Sequence, residues 1–268
     1  MYLGEVTWPD VGEYVESESI AIVPLGSTEQ HGPALPLGTD HLIAEALARA
    51  AAEATGYLCT PTVTIGVSAH HKQFHGTMWV DPDAFRAFVE SFSRNLAYHG
   101  IDRIVYVNAH GGNVEPLREV GRRLHDDGVA FATEWMWDRD LRELIAELFT
   151  QPGPHAGPKE TSMIMCVTDG LARPELLEAA RDGGCVDWTT VGRQFGSRTF
   201  YDAIDNSPNG AFGDQTDASV EAGERLFDAA LENLVGLLEW LDAQALSDLL
   251  SKPHVESRPT GEYGEVER

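Results

Sequence analysis

Residues 19–41, SIAIVPLGSTEQHGPALPLGTDH, join an apolar run to a loop rich in glycine and proline. The apolar segment 19–25 predicts a buried β-strand that ends where this loop begins. Asp40 can then cap a helix over 41–55, and Gly56 is placed to stop it. A buried strand, a loop and an alanine-rich helix in succession are typical of a layered α/β fold.

The same alternation continues along the chain. Runs of β-branched residues predict further strands, and amphipathic patterns predict further helices. The predicted strands cover 58–65, 101–108 and 129–134, and the predicted helices cover 81–98, 114–127, 138–149, 159–169 and 216–244. We expect one domain over 1–250, with loop-rich segments at 66–80 and 184–215 and a polar tail at 251–268.

The charge balance is strongly acidic. The chain has 43 Asp and Glu residues against 19 Lys and Arg residues, a formal net charge of −24. Such a field repels phosphate backbones and anionic lipids, so we expect neither a nucleic-acid nor a membrane partner. The scarcity of lysine in so acidic a chain predicts a halophilic source, where dense counterions screen the repulsion between carboxylates.

The spacing of the cysteines and the length of the apolar runs indicate the cellular compartment of the protein. The three cysteines, Cys59, Cys166 and Cys185, are far apart, which argues against both a disulfide framework and a cysteine zinc site. No apolar run is long enough to span a bilayer, and the N-terminus has no basic start followed by an apolar stretch. The sequence therefore predicts a cytoplasmic protein.

Carboxylates and imidazoles follow the predicted strands and open one predicted helix. In open α/β sheets, ligands bind beyond the carboxyl ends of the strands, so these side chains are expected to meet there. Together they suit Zn²⁺, Mn²⁺ or Fe²⁺ better than Ca²⁺ or Mg²⁺ alone. A His-Gly-Gly turn could instead cradle a phosphate, although no lysine follows it. The candidate residues are Glu29, His31, Asp40, His110, His155 and Glu160.

Four motifs resemble those of the creatininase family of metal-dependent amidohydrolases, in matching order and spacing over roughly residues 3–240. The first, an E-x-H pair followed by T-D after a Pro/Gly-rich gap, is the most specific. The four are VPLGSTEQHGPALPLGTDH (23–41), VNAHGGN (107–113), HAGPKETS (155–162) and GAFGDQTDASVEAG (210–223).

The resemblance implies a three-layer α/β/α sandwich with a mostly parallel central sheet, assembled as a homo-oligomer, hexameric or similar. It also implies two divalent metal ions per subunit (Zn, Mn or Fe), which activate a shared water. By motif position, Glu29 and His110 bind one metal, His31 binds the other and Asp40 bridges them. Glu160 is a candidate further ligand and catalytic carboxylate. His155 is the candidate proton donor to the leaving nitrogen of a small-molecule amide.

The sequence departs from the creatinine-cleaving members after the histidine of the second motif. Those members carry a tyrosine and a metal-binding glutamate where this chain has Gly111 and Gly112. The glycine version resembles two other branches, a formylaminopyrimidine-nucleotide deformylase and a peptidase that trims a redox-cofactor precursor. Three interpretations therefore stand: a creatinine-type amidohydrolase that cleaves a cyclic amide or another non-peptide C–N bond, one of these two enzymes, or a non-catalytic subunit that binds a metabolite.

Several residues near the predicted strand ends are candidates for substrate binding. His70 and His75 lie in the loop after the second predicted strand, and Gly111 follows the second-motif histidine. Trp135 and Trp137 could wall a planar substrate by stacking, although aromatic residues there are as often part of a core or an interface. Asp214, in the fourth motif, is a candidate support of the site or of the oligomer.

Overall fold

A parallel sheet forms the centre of the molecule. The computed structural model describes residues 1–181, 195–196 and 200–252. Its strands are β1 (Ile20–Leu25), β2 (Leu58–Cys59), β3 (Arg103–Asn108) and β4 (Phe131–Met136), in the order β2-β1-β3-β4 with every pair parallel. The chain leaves β1 towards β2 on one side and later returns to β3 on the other, so the carboxyl ends of β1 and β3 flank a switch point where ligands bind.

Helices cover both faces of this sheet, which confirms the three-layer α/β/α prediction. One face packs on α2, α6 and α8, and the other packs on α3 and α4. The helices are α1 (Trp8–Tyr14), α2 (Thr39–Thr55), α3 (Pro82–Tyr98), α4 (Val114–Asp126), α5 (Arg142–Leu148), α6 (Pro158–Val167), α7 (Ala203–Asn206), α8 (Val220–Asp242) and α9 (Leu246–Leu249).

The alternation of side chains along β1 explains why both faces need a layer. Ile20 and Ile22 belong to one apolar core, while Val23 and Leu25 belong to the other. All six residues of the strand are buried, as is usual for parallel sheets covered on both faces. Each fully buried side chain of this size contributes about 1.5–3 kcal/mol to stability.

Two predicted elements are shorter in the structure than the sequence indicated. The strand predicted over 58–65 pairs as a ladder only at Leu58–Cys59, because Pro61 has no N–H to donate. Beyond it the chain keeps single contacts with β1, such as Val63 N–H to the Pro24 carbonyl at 3.0 Å. The helix predicted over 138–149 begins only at Arg142.

Some predictions fall wholly or partly outside the described residues. These include residues 184–194 and 197–199 of the segment 184–215, the environment of Cys185 and nearly all of the tail 251–268. Among the helices that are described, none is long and apolar enough to cross a membrane.

Candidate metal centre and active site

The loop after β1 folds back onto the start of α2 and brings their acidic residues together. An alanine-sized side chain at Gly26 would lie 2.3 Å from the His41 backbone nitrogen, so this close approach requires glycine. The backbone N–H of Glu29 donates to the Leu37 carbonyl at 2.9 Å, which fixes the loop. Gly38 is the helix N-cap, and Asp40 lies one residue inside the first turn. The predicted capping role of Asp40 is therefore wrong, and its carboxylate faces the site.

Asp40 lies between two imidazoles. Its Oδ1 is 3.0 Å from Nε2 of His31, and its Oδ2 is 3.1 Å from Nδ1 of His110. The same His110 nitrogen is 3.3 Å from Oε2 of Glu29. At most 4% of each of these four side chains is exposed. Four of the predicted ligands are thus brought together at the carboxyl ends of β1 and β3.

Backbone carbonyls orient both imidazoles. Nδ1 of His31 donates to the Glu29 carbonyl at 3.2 Å, which leaves Nε2 directed at Asp40. Nε2 of His110 donates to the Val67 carbonyl at 3.0 Å, which leaves Nδ1 directed at the two carboxylates. Metal-binding histidines are usually held by such a hydrogen bond from the other ring nitrogen.

The donor atoms fit a cation. Among the described residues, Oε2 of Glu29, Nε2 of His31 and Oδ2 of Asp40 are buried without a well-aligned hydrogen-bond partner. Unpaired buried polar atoms are costly, and a metal ion would satisfy them. Ligand atoms of these three residues lie within 4.8 Å of one another, and a second such group is formed by His31, His155 and Glu160. Carboxylate and imidazole donors favour Zn²⁺, Mn²⁺ or Fe²⁺.

His155 and Glu160 reach the cluster from the segment that leads into α6. Glu160 lies in the first turn of this helix, where its carboxylate accepts a hydrogen bond from the Ala156 backbone N–H. The His155 ring lies 4.3 Å from the His31 ring, measured between centroids. Gln215, from the fourth motif, donates to the carbonyls of both His31 and Ala156 at 3.0 and 2.9 Å. The candidate support Asp214 instead caps its own turn through Thr216.

His71 also belongs to the site; the sequence places it in the loop 70–76 that could line the pocket, without choosing it over His70 and His75. Its Nε2 is 3.4 Å from Oε1 of Glu29, and its ring is 4.5 Å from that of His155. Residues 69–71 form a turn of 3₁₀ helix. Neighbouring side chains in such a turn point about 120° apart, so the sequence alone does not show which histidine faces Glu29.

A cavity of about 540 Å³ opens beside the cluster. His70 and Gly111, both predicted to bind substrate, line it. His75 is exposed and outside the lining, whereas Trp135 and Trp137 pack in the core beside the sheet, so the structure does not place these three at the cavity. The described lining consists of Glu29, Asp40, His70, His71, Ala109, His110, Gly111, Gly112, Pro154, His155, Glu160, Tyr201, Ala203, Asn206 and Phe212.

Without metal, protonated imidazoles neutralise the buried carboxylates. Burial alone would lower the pKa of His31, but the Asp40 carboxylate raises it to about 9. Burial likewise opposes protonation of His110, but Glu29 and Asp40 raise its pKa well above the ordinary value. The pKa of Asp40 is lowered because the two histidines outweigh the opposing effect of its burial.

We therefore expect metal binding to expel protons. At pH 7 both His31 and His110 are positively charged, and each carries a second ring proton that a metal must displace. Uptake of Zn²⁺ should therefore release about two protons per chain. Since the raised pKa of His31 keeps its proton bound up to about pH 9, the release should fall above that pH. Calorimetric titration in buffers of different ionisation enthalpy measures it, and metal uptake at pH 7 with no proton release would contradict this assignment.

The other groups near the cavity have pKa values shifted mainly by burial. The pKa of His71 falls to about 3, and that of His155 falls well below its ordinary value, in both cases with further lowering by neighbouring histidines. Burial raises the pKa of the Glu160 carboxyl. The site therefore combines two imidazoles that stay neutral with a carboxyl that gains a proton more readily than usual, a combination suited to proton transfer.

Comparison with known proteins identifies the family of this chain. A sequence model of the creatininase family, described as creatinine amidohydrolase, matches residues 4–238. The chain belongs to the creatininase family. It is accordingly a hydrolase of carbon–nitrogen bonds that uses a divalent metal.

Relatives in this family carry different names. A mycofactocin precursor peptide peptidase of Mycobacterium ulcerans is 32% identical over 85% of this chain and 84% of its own length. A creatinine amidohydrolase of Pseudomonas putida is 27% identical over 64% of this chain and 73% of its own. A 2-amino-5-formylamino-6-ribosylaminopyrimidin-4(3H)-one 5'-monophosphate deformylase of Methanothermus fervidus is 32% identical over 58% of this chain and 59% of its own.

The creatininase fold is confirmed by solved structures. A crystal structure of creatinine amidohydrolase superposes with a TM-score of 0.74 at 23% identity, covering 91% of this chain and 98% of that one. The structure of creatininase Mn superposes with a TM-score of 0.75 at 23% identity, covering 89% of this chain and 97% of that one.

Proposed function

We propose that this chain is a two-metal amidohydrolase whose ions are held by Glu29, His31, Asp40, His110 and Glu160. The observation that supports it most is the position of Asp40, whose two oxygens each lie about 3 Å from a different histidine. A carboxylate in this position can bridge two ions. Zn²⁺, Mn²⁺ and Fe²⁺ all accept this donor set.

Bound divalent ions would polarise the amide carbonyl and lower the pKa of a water from ~15.7 towards neutrality. The chain supplies the proton transfers. His155 is neutral at physiological pH because burial and the neighbouring histidines lower its pKa, so its ring can take a proton from the attacking water. It can then return that proton to the leaving nitrogen. Glu160 lies on the His31 side of the cluster and can serve as a ligand or as a proton carrier.

The cavity favours a substrate other than creatinine or a nucleotide monophosphate. The glutamate that creatinine-cleaving relatives use as a ligand has no counterpart at Gly112, where any Cβ would lie 2.1 Å from the Val67 carbonyl. Of the described lining residues, none is a lysine or arginine that could pair with a phosphate. An acyclic amide, such as the terminal amide bond of a short peptide, fits both observations, and the relative from Mycobacterium ulcerans supports this choice.

Gly111 and Gly112 should differ sharply in how well they tolerate substitution by alanine. In Gly112→Ala the new methyl would meet the Val67 carbonyl at 2.1 Å and Nε2 of His110 at 2.5 Å, breaking the hydrogen bond between them. We expect a loss of about 1–3 kcal/mol in the free energy of unfolding and weaker metal binding. Gly111→Ala is the matched control, since nothing lies within 4 Å of its Cβ position. Denaturant unfolding measures both, and equal stability of the two variants would refute the steric argument.

The deciding experiment is metal content together with hydrolysis of a small panel, run in high salt. The panel contains creatinine, the formylaminopyrimidine nucleotide and a short peptide. About two ions per chain and cleavage of the peptide would support the proposal in full. Cleavage of creatinine or the nucleotide instead would overturn the substrate choice, and failure to bind any divalent ion after reconstitution would overturn the metal centre.

We further propose that the protein is a cytoplasmic homo-oligomer, hexameric or similar, from a high-salt source. Exposed apolar side chains support assembly, because Met78, Trp79 and Phe88 are 58%, 44% and 54% exposed. The net charge of −24 supports the high-salt setting. We retain one domain over 1–250 and a polar tail over 251–268 as part of this proposal.

A further inference from the structure

We propose that Gln30 fixes the tautomers of His71 and His155, so that His71 directs an N–H at the Glu29 carboxylate instead of binding metal and His155 presents Nδ1 to the site. Its consequences for metal binding rest on the proposed function, whereas the hydrogen-bond geometry that fixes the tautomers does not. It makes Gln30 and His71 positioning residues. It also decides between two roles for His71, whose ring nitrogen lies close enough to Glu29 and His155 to form a metal-binding group with them.

The orientation of the Gln30 amide is set by its backbone neighbours. The side chain is buried, with 4% of the residue exposed. Its Oε1 accepts a hydrogen bond from the Gly32 backbone N–H at 2.9 Å, which identifies the other amide atom as Nε2. That Nε2 has two hydrogens, one of which is donated to the Gly210 carbonyl at 3.2 Å. The second is left for His71, whose Nδ1 lies 2.8 Å away.

This contact defines the protonation of His71. Because Gln30 Nε2 can only donate, Nδ1 of His71 must accept, and the single ring hydrogen then resides on Nε2. Nε2 faces Oε1 of Glu29 at 3.4 Å. A nitrogen that carries a hydrogen has no lone pair to give a metal, so His71 instead orients the Glu29 carboxylate. Partners of this kind around a ligand commonly contribute 10–100-fold to metal affinity.

The backbone carbonyl of Gln30 fixes the position of the ring hydrogen of His155 in the same way. Nε2 of His155 lies 2.9 Å from the Gln30 carbonyl oxygen, to which it can only donate. The Gln30 amide nitrogen is also close, at 3.0 Å, but both of its hydrogens are already committed. The lone pair of His155 therefore resides on Nδ1, which lies 3.8 Å from Oε1 of Glu29. This is the nitrogen that can exchange a proton with the reacting groups.

The fourth motif closes around this glutamine. Gly210 has φ of +84°, and a Cβ there would lie 1.7 Å from Oε1 of Gln30. Any larger residue would displace the amide from its position between the two histidines. The glycine thus keeps Gln30 in the orientation that determines both tautomers.

The first test is nitrogen NMR on metal-free protein with ¹⁵N-labelled histidine, which distinguishes protonated from unprotonated ring nitrogens. We expect both His71 and His155 to be neutral with hydrogen on Nε2, and Gln30→Glu to move the His71 hydrogen to Nδ1, because a carboxylate accepts. Gln73→Glu, at an exposed glutamine of the adjacent loop, should change neither ring. An Nδ1–H form of His71 in the unsubstituted protein would overturn the inference.

The second test separates a positioning residue from a ligand by titrating Zn²⁺. His71→Gln keeps an N–H donor for Glu29, so we expect unchanged stoichiometry and affinity within about 3-fold. His71→Leu removes the donor, so we expect unchanged stoichiometry with affinity lowered about 10–100-fold. Loss of an ion in both variants would show that His71 is a ligand and overturn the inference. Failure of the unsubstituted protein to bind Zn²⁺ would instead contradict the proposed function, and the NMR result would still decide the tautomers.

Discussion

Asp40→Ala is expected to remove the bound metal and the hydrolytic activity together. Both oxygens of this carboxylate face histidines that are the proposed ligands of different ions, so its loss removes the one group common to both. Metal ions contribute several kcal/mol to catalysis, and each 1.36 kcal/mol corresponds to a tenfold change in rate. We expect kcat to fall by at least about 10³-fold. Elemental analysis of the purified variant and a rate assay measure the two effects.

The matched control for this substitution is Asp83→Ala. Asp83 also lies in the first turn of a long helix, α3, but its side chain is 90% exposed and pairs with Arg86, away from the metal cluster. We expect it to retain metal and activity. If Asp40→Ala kept its full metal content, the bridging role would be refuted, and the ions would have to be held by the remaining residues alone.

The sequence predicts the position of this cluster because parallel strands end at one edge of their sheet. Glu29 follows β1 and His110 follows β3, and the two strands are hydrogen-bonded neighbours. A strand order cannot be read from one sequence, but any order that pairs these two strands brings their following residues together. β1 is apolar throughout and β3 contains the apolar run 104–107, so the sequence predicts both strands within two residues of their observed ends.

Residues that depend on tertiary contacts were predicted less well. The role of His71 follows from the Gln30 amide, which is separated from it by 41 positions in sequence. Gln215 supports the His31 and Ala156 carbonyls from 184 and 59 positions away. No local pattern marks either glutamine, because an amide can satisfy backbone groups anywhere it is buried. The one signal in the sequence is that Gln30 and Gln215 each lie within one of the four family motifs.

For the two tryptophans the sequence leaves substrate stacking and core packing equally open, and the structure favours the core. They are candidates for either role because they follow the strand predicted over 129–134. In the sheet, Trp135 pairs with Val107 of β3, and both side chains belong to the same apolar core as α2 and α8. Trp137 is 3% exposed in that core. The site lies beyond β1 and β3 and not beyond β4, a distinction that requires the strand order.

His155→Ala is expected to retain the metal while losing most of kcat. The ring lies beside His31 and His71, and its backbone-held tautomer directs one nitrogen towards Glu29. General acid–base catalysis by such a group typically contributes ~10²–10⁴-fold, which is the fall in kcat that we expect. His155→Gln, which fills more of the space, should be almost as slow, because an amide cannot carry a proton between water and the leaving nitrogen.

The control for this last prediction is His75→Ala. The sequence also makes His75 a candidate, because it lies in the histidine-rich loop 70–76. In the structure it is exposed and does not line the cavity. Its removal should leave kcat/KM unchanged within about 3-fold, as is usual for surface substitutions far from a site. If His155→Ala also left kcat unchanged, the proton would have to move through another group. Glu160 would then be the strongest candidate, because burial raises the pKa of its carboxyl and its oxygen lies within 4.8 Å of ring nitrogens of both His31 and His155.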